Sequence, residues 1–206
     1  MNTYFITGIG TDVGKTVVAA IVTEAMQADY WKPVQAGELQ HTDTHSVEEL
    51  ISNSKSVMHE HSYALRTPMS PHAAAAIDGV HIDLEMIEEP ETENHLVIEG
   101  AGGLLVPLNE QETILDLIKN NYKVIVVSRH YLGSINHTLL TLSELRSRGL
   151  EVSGIIFNGK AHPTTEHIIK KMGHVEEIGR IDEEAVIDKQ VIKKYAEMFK
   201  PRLEAL

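Results

Sequence analysis

Gly8-Ile9-Gly10-Thr11-Asp12-Val13-Gly14-Lys15-Thr16 joins an apolar run, Thr3–Ile9, to a stretch with helical patterning, Lys15–Met26. A glycine-rich turn between a strand and a helix is the context a phosphate-binding loop requires. Glycines let successive backbone N–H groups face one anion. The helix N-terminus adds unpaired donors and the positive end of its dipole. In such a loop Lys15 reaches the β- and γ-phosphates, and Thr16 offers its hydroxyl to Mg²⁺. The spacing is unusual. Counted back from Gly14, the conventional first glycine position holds Ile9, and Gly8 sits one residue earlier, giving Gly-x5-Gly-Lys-Thr.

Outward from this loop, short apolar runs alternate with helical patterns. The expected strands are Thr3–Ile9, Tyr30–Val34, His95–Glu99, Lys123–Ser128, Val152–Asn158 and Val175–Ile181. They lack strict polar alternation, as strands covered on both faces do. Helices are expected at Lys15–Met26, Val47–Ser52, Pro71–Ile77, Ile114–Lys119, Ile135–Arg148, Thr164–Met172 and Glu183–Phe199. This order predicts an α/β fold of the P-loop NTPase-like kind, a mostly parallel sheet flanked by helices. The length of 206 residues, without repeat or linker, predicts a single domain spanning 1–206. The acidic run from Glu85 to Glu93 reads as a solvated surface segment.

Composition narrows the partners. With 18 Lys and Arg against 30 Asp and Glu, the net charge is −12. Such a surface repels nucleic acid and anionic lipid, so neither is expected as a partner. A phosphate-bearing ligand must be held by local donors against this field. No apolar stretch is long enough to cross a membrane. Nor does the N-terminus read as a signal peptide. The absence of cysteine fits a reducing cytoplasm, the expected location. The histidines His41, His45, His59 and His61 show no metal-ligand spacing and read as surface residues in polar loops.

Further constellations fall where an open parallel sheet binds ligands, at strand carboxyl ends. Lys32-Pro33-Val34-Gln35-Ala36-Gly37 closes the second strand, and places an ammonium toward the crevice of Lys15. Glu99-Gly100-Ala101-Gly102-Gly103 follows the third, with Glu99 where a Walker B strand has its acidic residue. A carboxylate there binds Mg²⁺ directly or through water. Asp43 is a second candidate carboxylate and equally a helix N-cap. Ser70-Pro71-His72 and Gly133-Ser134-Ile135-Asn136-His137 both read as helix starts, able to hold a carboxylate or simply capped.

Taken in order, these motifs resemble the dethiobiotin synthetase family over most of the chain. The shifted loop, Lys-Pro-Val-Gln-x-Gly, Thr42-Asp43, Ser-Pro-His at 70–72, Glu-Gly-Ala-Gly-Gly and Gly-x-Ile-Asn-His at 133–137 all look like that family's. The resemblance implies an ATP- and Mg²⁺-dependent ligase that carboxylates 7,8-diaminononanoate with CO2 and closes the ring to dethiobiotin, in biotin biosynthesis. It implies Mg²⁺ on Thr16, Asp43 and Glu99, and reacting groups handled by Lys15 and Lys32. It further implies ATP contacts from Asp12, Val13, Gly14, Val17, Gly100, Ala101 and Gly102. Asn158 and Gly159 would meet the adenine, with Asp182, Glu183 and Glu184 near base or ribose. Substrate would touch Thr11, Ala36, Ser70, Gly133, Ser134, Ile135 and Asn136, the last four across a homodimer interface in a shared site.

Three positions depart from the family pattern. Ala36 stands where Thr or Ser is frequent, Asp12 where Glu is common, and Arg180-Ile181-Asp182 where a proline often follows the strand. Two other readings compete. An amide-forming ligase of the same group would need a glutaminase domain, for which this chain has no segment. A regulatory ATPase of the partition or cell-division type would carry a second lysine inside the loop, where this chain has Gly10-Thr11-Asp12. The segment Val191–Phe199 is amphipathic, but Pro201 is expected to interrupt it, so it reads as a packing helix.

Overall fold

The computed structural model describes residues 1–206. Its main sheet is formed by β1 (Thr3–Gly8), β2 (Asp29–Trp31), β4 (Met58–His59), β6 (Leu96–Gly103), β7 (Lys123–Arg129), β8 (Val152–Asn158) and β9 (Glu177–Ile181). The spatial order is β4-β2-β6-β1-β7-β8-β9, and every pairing is parallel. A second, two-stranded parallel sheet joins β3 (Val34–Ala36) to β5 (Tyr63–Leu65).

Six α-helices surround the sheets: α1 (Lys15–Met26), α2 (Asp43–Leu50), α3 (Pro71–Asp78), α4 (Ser134–Ser147), α5 (Pro163–Gly173) and α6 (Lys189–Leu203), with α3 on the β3–β5 sheet and α2 against α1 and α6. Alternate residues of each strand feed opposite cores. Tyr4, Ile6, Ile125 and Val127 pack under α1 and α6, with Val18, Ile21, Tyr195 and Phe199. Phe5, Val124, Val126 and Phe157 pack under α4 and α5, with Leu142, Leu145 and Ile169. Both faces of the strands are therefore apolar, which is why their sequences do not alternate.

Several boundaries differ from expectation, each for a local reason. The run Tyr30–Val34 is two strands, not one. Pro33 offers no N–H to a ladder, so the chain leaves the main sheet after Trp31 and re-pairs as β3. The short partners β4 and β5 escaped notice because two or three residues carry no period. The third strand runs through its glycines to Gly103, and its end pairs with Gly8. The expected helix 47–52 begins at Asp43. Ile114–Lys119 is only a 3-10 turn, Ile114–Leu117.

At the C-terminus, the helix expected from Glu183 starts at Lys189, where the Asp188 carboxylate accepts from the N–H groups of Gln190 and Val191. It then runs through Pro201 to Leu203. A proline in the final turn removes one N–H near an end that is already under-bonded. The acidic run lies at the surface as expected, with Glu85, Glu88, Glu91 and Glu93 exposed and Glu89 anchoring it. Glu89 accepts from Lys119 Nζ at 2.7 Å and Tyr122 OH at 2.6 Å.

Asp29 anchors the start of β2, whose far end leads to Lys32. Only 3% exposed, its carboxylate accepts from Thr92 Oγ1 at 2.6 Å, Val57 N at 3.0 Å and Asn94 Nδ2 at 3.1 Å, and meets His59 Nε2 at 3.3 Å. Burial pushes this carboxyl up, but the bonds from Thr92, Val57 and Asn94 outweigh it and hold it below its ordinary value. A depressed carboxyl stabilises the fold above its ordinary pKa, and that contribution is lost as pH falls through the folded value. Asp29→Asn should therefore cost about 3 kcal/mol at neutral pH. Urea melts across pH should show the gap to wild type narrowing in acid.

Candidate functional site

The loop explains its own spacing. A Cβ on Gly8 would lie 2.6 Å from Val13 Cγ2 and 3.2 Å from Lys15 Cδ, whereas one on Gly10 would meet nothing within 4 Å. Ile9 meanwhile packs its side chain against the apolar cores. The position that must lack a side chain is therefore Gly8, one residue before the conventional place. Gly14 has φ +94, and a Cβ there would strike Asn158 Nδ2 at 2.2 Å. That nitrogen donates to Val13 O at 2.8 Å, and Arg129 Nη1 donates to Asp12 O at 3.1 Å. Strands β7 and β8 thus brace the loop from outside. Asp12 itself adopts φ 56 with an exposed side chain.

Four charges converge behind the loop. Lys15 and Lys32 are each 7% exposed and Glu99 is 1% exposed. Lys32 Nζ donates to Asp43 Oδ2 and, at 3.1 Å, to Glu99 Oε1. The Thr16 hydroxyl lies 2.9 Å from Asp43 Oδ1 and 3.0 Å from Glu99 Oε1, so its single proton is shared between them. Lys15 Nζ folds back onto Gly10 O at 2.9 Å. Burial lowers the Lys15 ammonium and Lys32 adds to the effect, against the pull of Glu99. Burial would also lower Lys32, but Glu99 and Asp43 outweigh it and hold it above its ordinary value. Asp43, which burial alone would raise, is held below its own by Lys32 and Thr16.

Asp43 is not the helix cap. Thr42 is, with His45 completing a capping box: Thr42 N donates to His45 Nδ1 at 3.0 Å. Asp43 occupies the first turn and its carboxylate is left for Thr16 and Lys32. The histidines read as loop residues have structural partners, since His61 Nδ1 lies 2.7 Å from Lys32 O.

One cavity of 790 Å³ gathers much of the expected site. From the loop side it is lined by Thr11, Asp12, Gly14, Lys15, Thr16 and Val17. Opposite stand Lys32, Ala36, Asp43, Ser70, Glu99, Ala101 and Gly102. Val13 and Gly100 lie just behind this wall, Val13 buried and Gly100 packed against Ile114 and Phe5. Of the residues expected at the base, Asn158 reaches the loop through Val13 O, and Gly159 N donates to Ile181 O at 2.8 Å. Glu184 is already engaged by Lys194 and Tyr195, both at 2.7 Å, and Asp182 by Arg180 at 3.0 Å. Glu183 is exposed. Gly133, Ser134, Ile135 and Asn136 line a different pocket of 710 Å³, with His130 and His162, and do not meet Lys32 within this chain.

Tyr30 was not foreseen. Its hydroxyl donates to Glu99 Oε2 at 2.8 Å, fully buried, so both oxygens of that carboxylate are engaged by the protein. The alternation of a strand would have found it, since Tyr30 and Lys32 share a face. Gln35, Glu38 and Met69 also line the cavity without having been singled out as site residues.

Comparison with known proteins follows the same lines. A family model described as AAA domain matches residues 2–191. The ATP-dependent dethiobiotin synthetase of Christiangramia forsetii is 61% identical over 98% of this chain and 98% of its own length. That of Cytophaga hutchinsonii is 50% identical over 95% of this chain and 96% of its own. Among solved structures, the MinC:MinD cell division complex of Aquifex aeolicus aligns with TM-score 0.60 at 16% identity, covering 100% of this chain and 97% of that one. A plasmid partition protein of Borrelia burgdorferi aligns with TM-score 0.60 at 14% identity, covering 100% of both. Likeness at these low identities concerns the fold alone. Identity that spans whole chains, together with the loop, strand-end lysine and paired carboxylates, identifies this chain as belonging to the ATP-dependent dethiobiotin synthetase family.

Proposed function

We propose that this chain uses ATP to carboxylate 7,8-diaminononanoate with CO2 and close the product to dethiobiotin. The observation that carries this reading is the convergence of Lys15, Lys32, Asp43 and Glu99 around Thr16 in one cavity. An amine of the substrate attacks CO2 to give an anionic carbamate and a proton. The carbamate oxygen takes the γ-phosphoryl of ATP, releasing ADP and leaving a carbamic–phosphoric anhydride. The neighbouring amine attacks the carbonyl carbon, expels phosphate and closes the five-membered ring.

The costly moment brings the carbamate anion against the γ-phosphate. Phosphoryl transfer of this kind depends on positioning and charge neutralisation, with no enzyme nucleophile required. Lys15 on the loop and Lys32 on the strand end approach that point from two sides. Two carboxylates and a hydroxyl around one position form a hard-oxygen donor set that fits Mg²⁺. Held by Thr16, Asp43 and Glu99, that ion would neutralise charge on the β- and γ-phosphates. Asn158 and Gly159, with the 182–184 segment, are our proposal for the base end, and Ala36 and Ser70 for the substrate wall. The acidic net charge fits small anionic substrates held locally rather than nucleic acid or membrane. A cytoplasmic site of action suits a chain without cysteine.

Steady ATP turnover should require both the diamine and bicarbonate. Lys15→Ala should reduce it by orders of magnitude. Lys32→Ala should retain ATP binding while losing diamine-dependent turnover. ATP hydrolysis indifferent to the diamine in the wild type would point instead to the regulatory ATPase class that shares this fold.

We further propose a homodimer whose sites are shared. Supporting this, the Gly133–Asn136 pocket is separate from the Lys32 cavity, Tyr131 and Leu132 leave apolar side chains exposed around it, and Leu105 and Leu140 do so at a neighbouring pocket that shares Tyr131. The α4 N-terminus suits the substrate carboxylate. Asn136 is exposed, so Asn136→Asp places a repelling charge there without burying it. Subunit exchange between Lys32→Ala and Asn136→Asp proteins should restore activity toward half that of a normal dimer. Verified heterodimers no better than their parents, or a fully active monomer, would reject the shared site.

A further inference from the structure

We propose that Gln35 determines specificity for the vicinal diamine, its Oε1 accepting a hydrogen bond from the amine that closes the ring. This inference deepens the function proposed above and rests on it. Gln35 lies on β3, three residues after Lys32 and next to Ala36, and lines the same 790 Å³ cavity. It is 4% exposed. Its Nε2 donates to Gly37 O at 3.0 Å, which fixes the orientation of the amide, because the flipped amide would set two oxygens against each other. Its Oε1 is buried and has no donor.

A buried acceptor without a partner is costly and uncommon. The other such atoms are elsewhere: hydroxyls of Tyr4, Thr7, Thr23 and Thr44, and Nδ1 of His130 beside the α4 pocket. Gln35 alone among them belongs to the wall of the cavity that holds both lysines, so a small shift of its buried amide brings Oε1 to a ligand there.

The chemistry of the bound groups selects the partner. CO2, the substrate carboxylate and the ATP phosphates bring acceptors only. The amines bring N–H donors. With Lys32 drawn to the carbamate oxygens, the second amine remains to be held. Donating one N–H to Gln35 leaves its lone pair free to attack the carbonyl carbon. A neutral amide suits this better than a carboxylate, which would favour the ammonium form that cannot attack.

Titration calorimetry with 7,8-diaminononanoate, 7-aminononanoate and 8-aminononanoate tests this, with ATP affinity measured alongside as a check of folding. Gln35→Met should weaken diamine binding roughly tenfold and ATP binding by less than about twofold. One monoamine, the one lacking the recognised nitrogen, should bind Gln35→Met and wild type alike. Gln35→Glu should move the pH–rate profile to higher pH, a change that mere loss of packing does not produce. Diamine affinity unchanged in Gln35→Met, or equal weakening toward the diamine and both monoamines with ATP binding intact, would overturn the inference and leave the function standing. Wild-type protein that fails to bind the diamine would overturn both. Should Gln35→Met fail to fold, Gln35→Leu carries the same comparison.

Discussion

Lys32 lies between two carboxylates in the interior, and the site is organised around that contact. Glu99 is almost wholly removed from water, where an unpaired charge is costly. The Lys32 ammonium pairs with it, and Thr16 and Tyr30 donate to its two oxygens. Removing one partner of such a buried set leaves an uncompensated charge, at a cost of about 3–5 kcal/mol. The arrangement depends in turn on Pro33. By withholding an N–H it ends the main-sheet pairing after Trp31, leaving Lys32 at the strand end beside the phosphate loop.

This dependence links fold to chemistry. The loop is set by Gly8 and Gly14 and braced by Asn158 and Arg129, so Lys15 and Thr16 have a fixed origin. The α2 cap, Thr42 with His45, directs Asp43 inward. The bolt at Asp29 holds the other end of β2. Partition and cell-division ATPases share the sheet and helices, which is why fold likeness alone does not distinguish them from this chain. What places it apart from them is whole-chain identity, 61% and 50%, to dethiobiotin synthetases.

The sequence made the sheet, the loop and the strand-end residues legible because each has a strong local signature. Apolar runs flanked by glycines specify buried parallel strands, and Gly-Lys-Thr at a strand–helix junction has one physical use. Contacts between distant residues left no such trace. Tyr30 reads as a core aromatic until Glu99 is placed above it. Gln35 reads as one letter of a motif until its oxygen is found unpaired. Asp43 could be cap or ligand until Thr42 was seen to hold the cap. The β2–β3 break is readable from Pro33, although the apolar run Tyr30–Val34 around it looks continuous.

The central claim is that Thr16, Asp43 and Glu99 form one hard-oxygen centre whose charge Lys32 balances. Its most direct test is the Mg²⁺ dependence of initial rate in wild type, Asp43→Asn and Glu99→Gln. Each amide keeps the shape and removes the negative charge that a hard cation prefers. The half-saturating Mg²⁺ concentration should rise at least several-fold in both variants. An unchanged Mg²⁺ dependence in both would contradict the account.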